Sequence, residues 1–111
     1  MYLVSLLRDV VARTSRVDGD GLNVLSDGST VHLVLYKFDT CRFCRRVFDS
    51  VDALQVNVEY RDIRRERRWK KELMEVTGKS QVPCLFVNGV PMHESADIIR
   101  WLEGRFRQAG G

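Results

Sequence analysis

The chain has 111 residues, enough for one compact domain, and with 44% of them hydrophobic it can build a core of its own. That argues against a disordered tail, a collagen-like fibre and a two-domain enzyme. Three cysteines are too few, and odd in number, for a disulfide-stapled secreted scaffold, so a reducing, cytoplasmic setting is expected. The net charge is +3, yet residues 61–72 alone carry +4 and the remainder −1. An anionic partner met at one place is expected, not nucleic acid.

In chain order, Leu3, Leu6, Leu7, Val10 and Val11 recur at helical spacing and predict a short amphipathic helix over residues 1–11. Arg8, Asp9 and Arg13 interrupt that apolar stretch and no small-residue cleavage site follows. Nowhere does an apolar run approach the roughly 18 residues of a membrane span. Neither a signal peptide nor a span is expected. Residues 17–28 hold three glycines and three aspartates and read as a loop. Within it Asp18-Gly19-Asp20-Gly21 is faintly like a calcium loop but lacks the third ligand and the distal glutamate.

An α/β pattern then begins. Residues 30–38 read as a buried strand, and Thr40 as the cap of a helix to residue 54 with Phe43, Val47, Val51 and Leu54 on one face. A second strand follows over 56–63, then a helix over 65–76 with Trp69, Leu73 and Val76 inward, stopped by Gly78. Residues 84–87 and 90–93 form strands joined at Asn88-Gly89, a strong hairpin signal. Ser95 is expected to cap a last helix to residue 106 that buries Ile98, Ile99 and Leu102. The class is α/β, a mixed four-stranded sheet with helices on both faces, preceded by an extra N-terminal helix. The division is 1–29 (helix and loop), 30–107 (domain) and 108–111 (tail). A right-handed crossover makes the first two strands of the domain parallel.

The chemistry concentrates at Cys41-Arg42-Phe43-Cys44. A C-x-x-C alone serves either a redox pair or a metal site. Its position at a strand-to-helix junction favours the former. Unpaired N–H groups of a first helical turn, together with Lys37, Arg42, Arg45 and Arg46, favour a thiolate at Cys41. Cys44, one turn on, faces the same side and can close a disulfide. Val82-Pro83 before a short strand is a candidate cis peptide bond, the alternative being a trans proline opening an edge strand.

Lys37-Phe38-Asp39-Thr40-Cys41-Arg42-Phe43-Cys44, then Thr77-Gly78-Lys79-Ser80-Gln81-Val82-Pro83, then Asn88-Gly89 with a helix-capping pair beyond, resembles the glutaredoxin family, with its thioredoxin fold, over about residues 30–106. The resemblance implies glutathione-dependent reduction of disulfides and of protein–glutathione mixed disulfides. Cys41 would attack and Cys44 resolve, with glutathione as co-substrate and oxidised or glutathionylated proteins as clients. It implies glutathione contacts at Lys37, Phe43, Lys70, Val82 and Pro83. Glu94 and Ser95 resemble the γ-glutamyl-binding pair of glutathione transferases; these normally carry a second, all-helical domain, for which 111 residues are too few, so a transferase is not expected. Arg42 stands where the family usually has proline, and His93-Glu94-Ser95 replaces its usual γ-glutamyl motif.

Other readings of the same residues stay open. A glutathione-ligated 2Fe–2S cluster in a dimer is one, and a thioredoxin-like adaptor without turnover is another. Cys84 reads as a buried small hydrophobe, or as a third thiol that with Cys41, Cys44 and His93 would complete a zinc set. No metal is expected. His93 reads as a solvated strand-end residue and His32 as structural. The basic run reads as a solvated face or as an anion-attracting rim with Lys70 innermost. A monomer is expected.

Overall fold

The computed structural model describes residues 19–107. The expected N-terminal helix and the tail at 108–111 lie outside the described residues. The elements are β1 (Leu22–Val24), β2 (Thr30–Lys37), α1 (Arg42–Leu54), β3 (Glu59–Asp62), α2 (Arg67–Thr77), β4 (Cys84–Val87), β5 (Val90–Met92) and α3 (Ser95–Phe106).

β2 is the central strand. It pairs parallel with β3, Lys37 opposite Asp62, and antiparallel with β4, Tyr36 opposite Cys84, and β4 continues antiparallel into β5. The four expected strands are present. A fifth, β1, occupies part of the expected loop and pairs antiparallel with the start of β2. Its apolar residues Leu22 and Val24 are 57% and 72% exposed, so burial does not hold it there. Polar pairing does: Asn57 donates to Asp20 and to the Leu22 carbonyl, and Asn23 donates to the Asn57 carbonyl. Gly21, at φ +82°, is needed for this approach, because a Cβ there would lie 2.4 Å from the Leu33 carbonyl.

Side chains of β2 and β4 alternate between two cores. Leu33, Leu35 and Leu85 join Cys44, Val47, Phe48 and Val51 of α1 and Ile98 and Leu102 of α3 on one face. Val34, Tyr36, Cys84 and Phe86 meet Leu73 of α2 on the other. Burial on both faces explains the unbroken apolar run of β2. On α1 the inward stripe is Cys44, Val47, Phe48 and Val51, an i, i+3, i+4, i+7 pattern. Phe43, expected on that stripe, is 53% exposed, a turn of about 100° away from Cys44. Val76 is likewise exposed, and Leu73 alone of α2 is fully buried. Gly78, at φ +80°, ends α2 as expected.

Candidate functional site

The C-terminal ends of the parallel strands β2 and β3 open onto one end of the sheet, where loops carry polar groups. After Lys37 the chain turns, with the Cys41 N–H donating to the Phe38 carbonyl at 3.2 Å. The turn delays the helix, so Cys41, not Thr40, is the N-cap. Its backbone is extended (φ −75°, ψ 121°) and its Sγ accepts the Cys44 N–H at 3.4 Å. A sulfur in this place faces orphan amides at the positive end of a helix, which is an anion-stabilising arrangement.

The three thiols are unequal. Cys41 is partly exposed, whereas Cys44 and Cys84 are fully buried. Burial pushes the Cys44 thiol up to about 12, reinforced by its contact with the Cys41 sulfur. Burial likewise pushes Cys84 up to about 11. Strand alternation sends Cys84 to the α2 face, across the sheet from Cys44. The zinc set is therefore not assembled, and among the described residues no three His, Cys, Asp or Glu side chains gather as metal ligands.

Lys37 is buried at the end of β2. Its Nζ lies 2.6 Å from Asp39 and 3.4 Å from Asp62, over the faces of Phe48 and Tyr60. The two carboxylates compensate a cation that burial alone would disfavour. A groove of about 500 Å³ runs past Lys37, Asp39, Tyr60, Asp62, Arg65 and Trp69. Lys70 does not line it. With Leu73 inward, Lys70 falls on the outer face of α2 beside Arg67, Lys71 and Met74. The cation brought next to the cysteine turn is instead Arg64, which sequence reading passed over. Its guanidinium stacks 3.6 Å over Phe38 and its NH1 lies 3.4 Å from Thr40 Oγ1. The signal was the βαβ register: with Lys37 opposite Asp62, residues just after β3 must stand beside those just after β2.

On the other side lie Val82 and α3. The Val82–Pro83 peptide is cis, and Val82 packs against both cores. Gln81 Nε2 donates to Glu94 Oε1 at 3.4 Å. Glu94, not Ser95, is the N-cap of α3, at φ 72°, and its carbonyl accepts the Ile98 N–H at 3.0 Å. Ser95 is the first helical residue and is buried. His93 is not solvated at its tip: Nε2 is buried without a hydrogen-bond partner among the described residues, and burial holds its pKa below the usual histidine value. His32, with Nε2 3.1 Å from the Asp20 carbonyl, is structural.

A mixed sheet with two helices on one face and one on the other, a cysteine on the first helix and a cis-proline before β4, defines a thioredoxin-like α/β domain. Residues 35–110 match the family model for the glutathione S-transferase N-terminal domain, and the chain belongs to that family. No curated protein sequence matches the chain. Among solved structures, Leishmania TDR1, described as a unique trimeric glutathione transferase, is 28% identical over 71% of this chain and 18% of its own, with a TM-score of 0.60. Glutathione transferase E6 of Drosophila melanogaster is 26% identical over 69% of this chain and 36% of its own, also at 0.60. A glutathione transferase homolog of Drosophila mojavensis with bound glutathione, 22% identical over 67% of this chain and 35% of its own (TM-score 0.59), shares the fold. The chain thus spans about a third of the length of the two Drosophila relatives and less than a fifth of that of the Leishmania one. The family shown is the glutathione S-transferase N-terminal domain, and not specifically the glutaredoxins that the sequence motifs resemble.

Proposed function

We propose that this domain binds glutathione and exchanges disulfides through Cys41, reducing protein–glutathione mixed disulfides. The observation that carries the reading is the contrast among thiols. Only Cys41 is accessible, and its sulfur sits on a helix N-terminus accepting an amide, while Cys44 and Cys84 are buried and held protonated. Family membership supports glutathione as the ligand. The γ-glutamyl carboxylate would meet the first turn of α3 at Ser95, with Glu94 receiving the ammonium. The Val82 backbone makes none of the turn hydrogen bonds found among the described residues and suits the cysteinyl part. At the glycine end, Lys37 is already engaged by Asp39 and Asp62, so the glycine carboxylate of glutathione would compete with those or turn to Arg65, which lines the same groove.

Burial of Cys44 favours a route in which a second glutathione, not Cys44, resolves the Cys41 mixed disulfide. Nothing in the site favours the cluster-binding dimer or the adaptor without turnover. The test is kinetic. Cys41→Ser should lose at least a thousandfold in kcat/KM for a glutathionylated peptide, about 4 kcal/mol of transition-state stabilisation. Cys44→Ser should keep the activity within about threefold. Activity surviving in Cys41→Ser ends the proposal.

A further inference from the structure

The first turns of α1 are electrostatically unfavourable for a helix standing alone. Arg42, Arg45 and Arg46 all lie within its first five residues, and the first turn holds no acidic residue. The positive end of a helix dipole disfavours cations. Arg42 also stands three and four residues from Arg45 and Arg46, the spacings at which like charges repel. None of the three makes a salt bridge among the described residues. Arg64 joins them from the loop after β3, stacked on Phe38 and bonded to Thr40 in the turn that presents Cys41. It too lacks an acidic partner among the described residues. Phe43, between Arg42 and Cys44 in the chain, leaves 53% of its surface bare. A cysteine turn followed at once by three arginines and an exposed aromatic ring, with Arg64 stacked on the turn and none of the four salt-bridged among the described residues, is complementary to something acidic and partly apolar.

We propose that the client of Cys41 is a protein thiol, blocked by glutathione, whose cysteine is flanked by acidic side chains and an apolar residue. This rests on the thiol-exchange reading above and names its substrate class. The carboxylates meet Arg42, Arg45 and Arg64, and the apolar residue meets Phe43. In the exchange, the Cys41 thiolate attacks the glutathionyl sulfur. The client–glutathione S–S bond breaks, and its electron pair leaves on the client sulfur, which takes a proton from water. A second glutathione thiolate then attacks the Cys41-bound glutathionyl sulfur, which frees the Cys41 thiolate and forms glutathione disulfide.

Two synthetic peptides test this. Each carries one glutathionylated cysteine followed by leucine, and they differ only in having four flanking glutamates or four flanking lysines. Glutathione disulfide formation is measured for both at 20 mM and 500 mM salt. The expected kcat/KM ratio, acidic over basic, is about tenfold or more at low salt and falls towards one at high salt. The triple variant Arg42→Gln/Arg45→Gln/Arg64→Gln should lower the ratio to about one, and the corresponding Glu variant should invert it. Using the ratio cancels any change in the intrinsic reactivity of Cys41. Arg100→Glu, on an exposed turn of α3, should leave the ratio unchanged. A wild-type ratio near one, or a ratio untouched by the triple variants, overturns the substrate class while the exchange activity stands. Turnover of neither peptide overturns the exchange reading itself, and the substrate class with it.

Discussion

Cys41, Cys44 and Cys84 are one side chain in three settings, and the settings decide their chemistry. Thiolate is the reactive form, so a buried thiol with a raised pKa is inert at neutral pH. Iodoacetamide at pH 7.5 should therefore label the native chain once, at Cys41, and the urea-unfolded chain three times; intact mass reads both numbers. A native chain that is unlabelled, or labelled twice, contradicts the assignment. Glu94 shows a second kind of residue-scale control. A non-glycine residue at φ 72° is strained, by roughly 1–3 kcal/mol. Its carboxylate accepts from Gln81 at the mouth of α3, a place where strain is tolerated for the group it positions. Glu94→Gly should then be more stable than Glu94→Ala by about 1 kcal/mol in urea melts, although glycine loses more entropy on folding. Both should bind glutathione more weakly than the parent, measured by calorimetry on Cys41→Ser proteins.

Among the elements, the β2–α1 and β3–α2 junctions cooperate. Asp62 does three things at once: it accepts the N–H groups of Arg64 and Arg65, pairs with Lys37, and faces it across the parallel ladder. The turn after β3 is thereby set in position, and Arg64 reaches the cysteine turn. β1 is held differently, by Asn23, Asn57 and the close approach of Gly21 to β2. Gly21→Ala should cost about 2 kcal/mol or more, because φ is positive and the Cβ meets a carbonyl that cannot retreat without breaking the sheet. The Leu33 amide, which donates to the Gly21 carbonyl, should exchange with deuterium faster in that variant. Periodicity identified α1, α2, α3, β2, β3 and β4 because each follows a repeat of 3.6 or 2, or an apolar run, and the Asn88-Gly89 hairpin signal placed β5. β1 escaped because the polar side-chain pairing that helps hold it comes from Asn57, 34 or more positions away, and exposed Leu22 and Val24 give no burial pattern.

At the scale of the molecule, burial of neutral acids sets the alkaline limit. Cys44 is pushed up to about 12 and Cys84 to about 11, each from 9.0, and Tyr36 to about 12 from 10.0, burial being the largest cause in every case. Glu72, hydrogen-bonded to Tyr36, adds to the last. All three are protonated in both states at neutral pH, so they leave stability flat there. From about pH 9 the unfolded chain releases these protons first, and stability falls by up to about 1.4 kcal/mol per pH unit for each group titrating. Urea melts between pH 8 and 11 should show that decline, and Cys44→Ala and Cys84→Ala should flatten it; a slope unchanged in both variants contradicts the account. The Cys41-x-x-Cys44 spacing at a strand-to-helix junction, the cis candidate at Pro83 and the start of the last helix near Glu94-Ser95 were legible in the amino-acid sequence, because each depends on neighbours within a few residues. What only the tertiary structure decided was which side chains share a face. It sent Cys84 and Cys44 to opposite sides of the sheet, turned Phe43 and Lys70 outward, locked Lys37 between two carboxylates and brought Arg64 onto the Phe38–Thr40 turn before Cys41. Those outcomes depend on strand register and on the first residue of each helix. A shift of one position flips a strand residue to the other face or turns a helical one by about 100°, and it is long-range packing that selects the register.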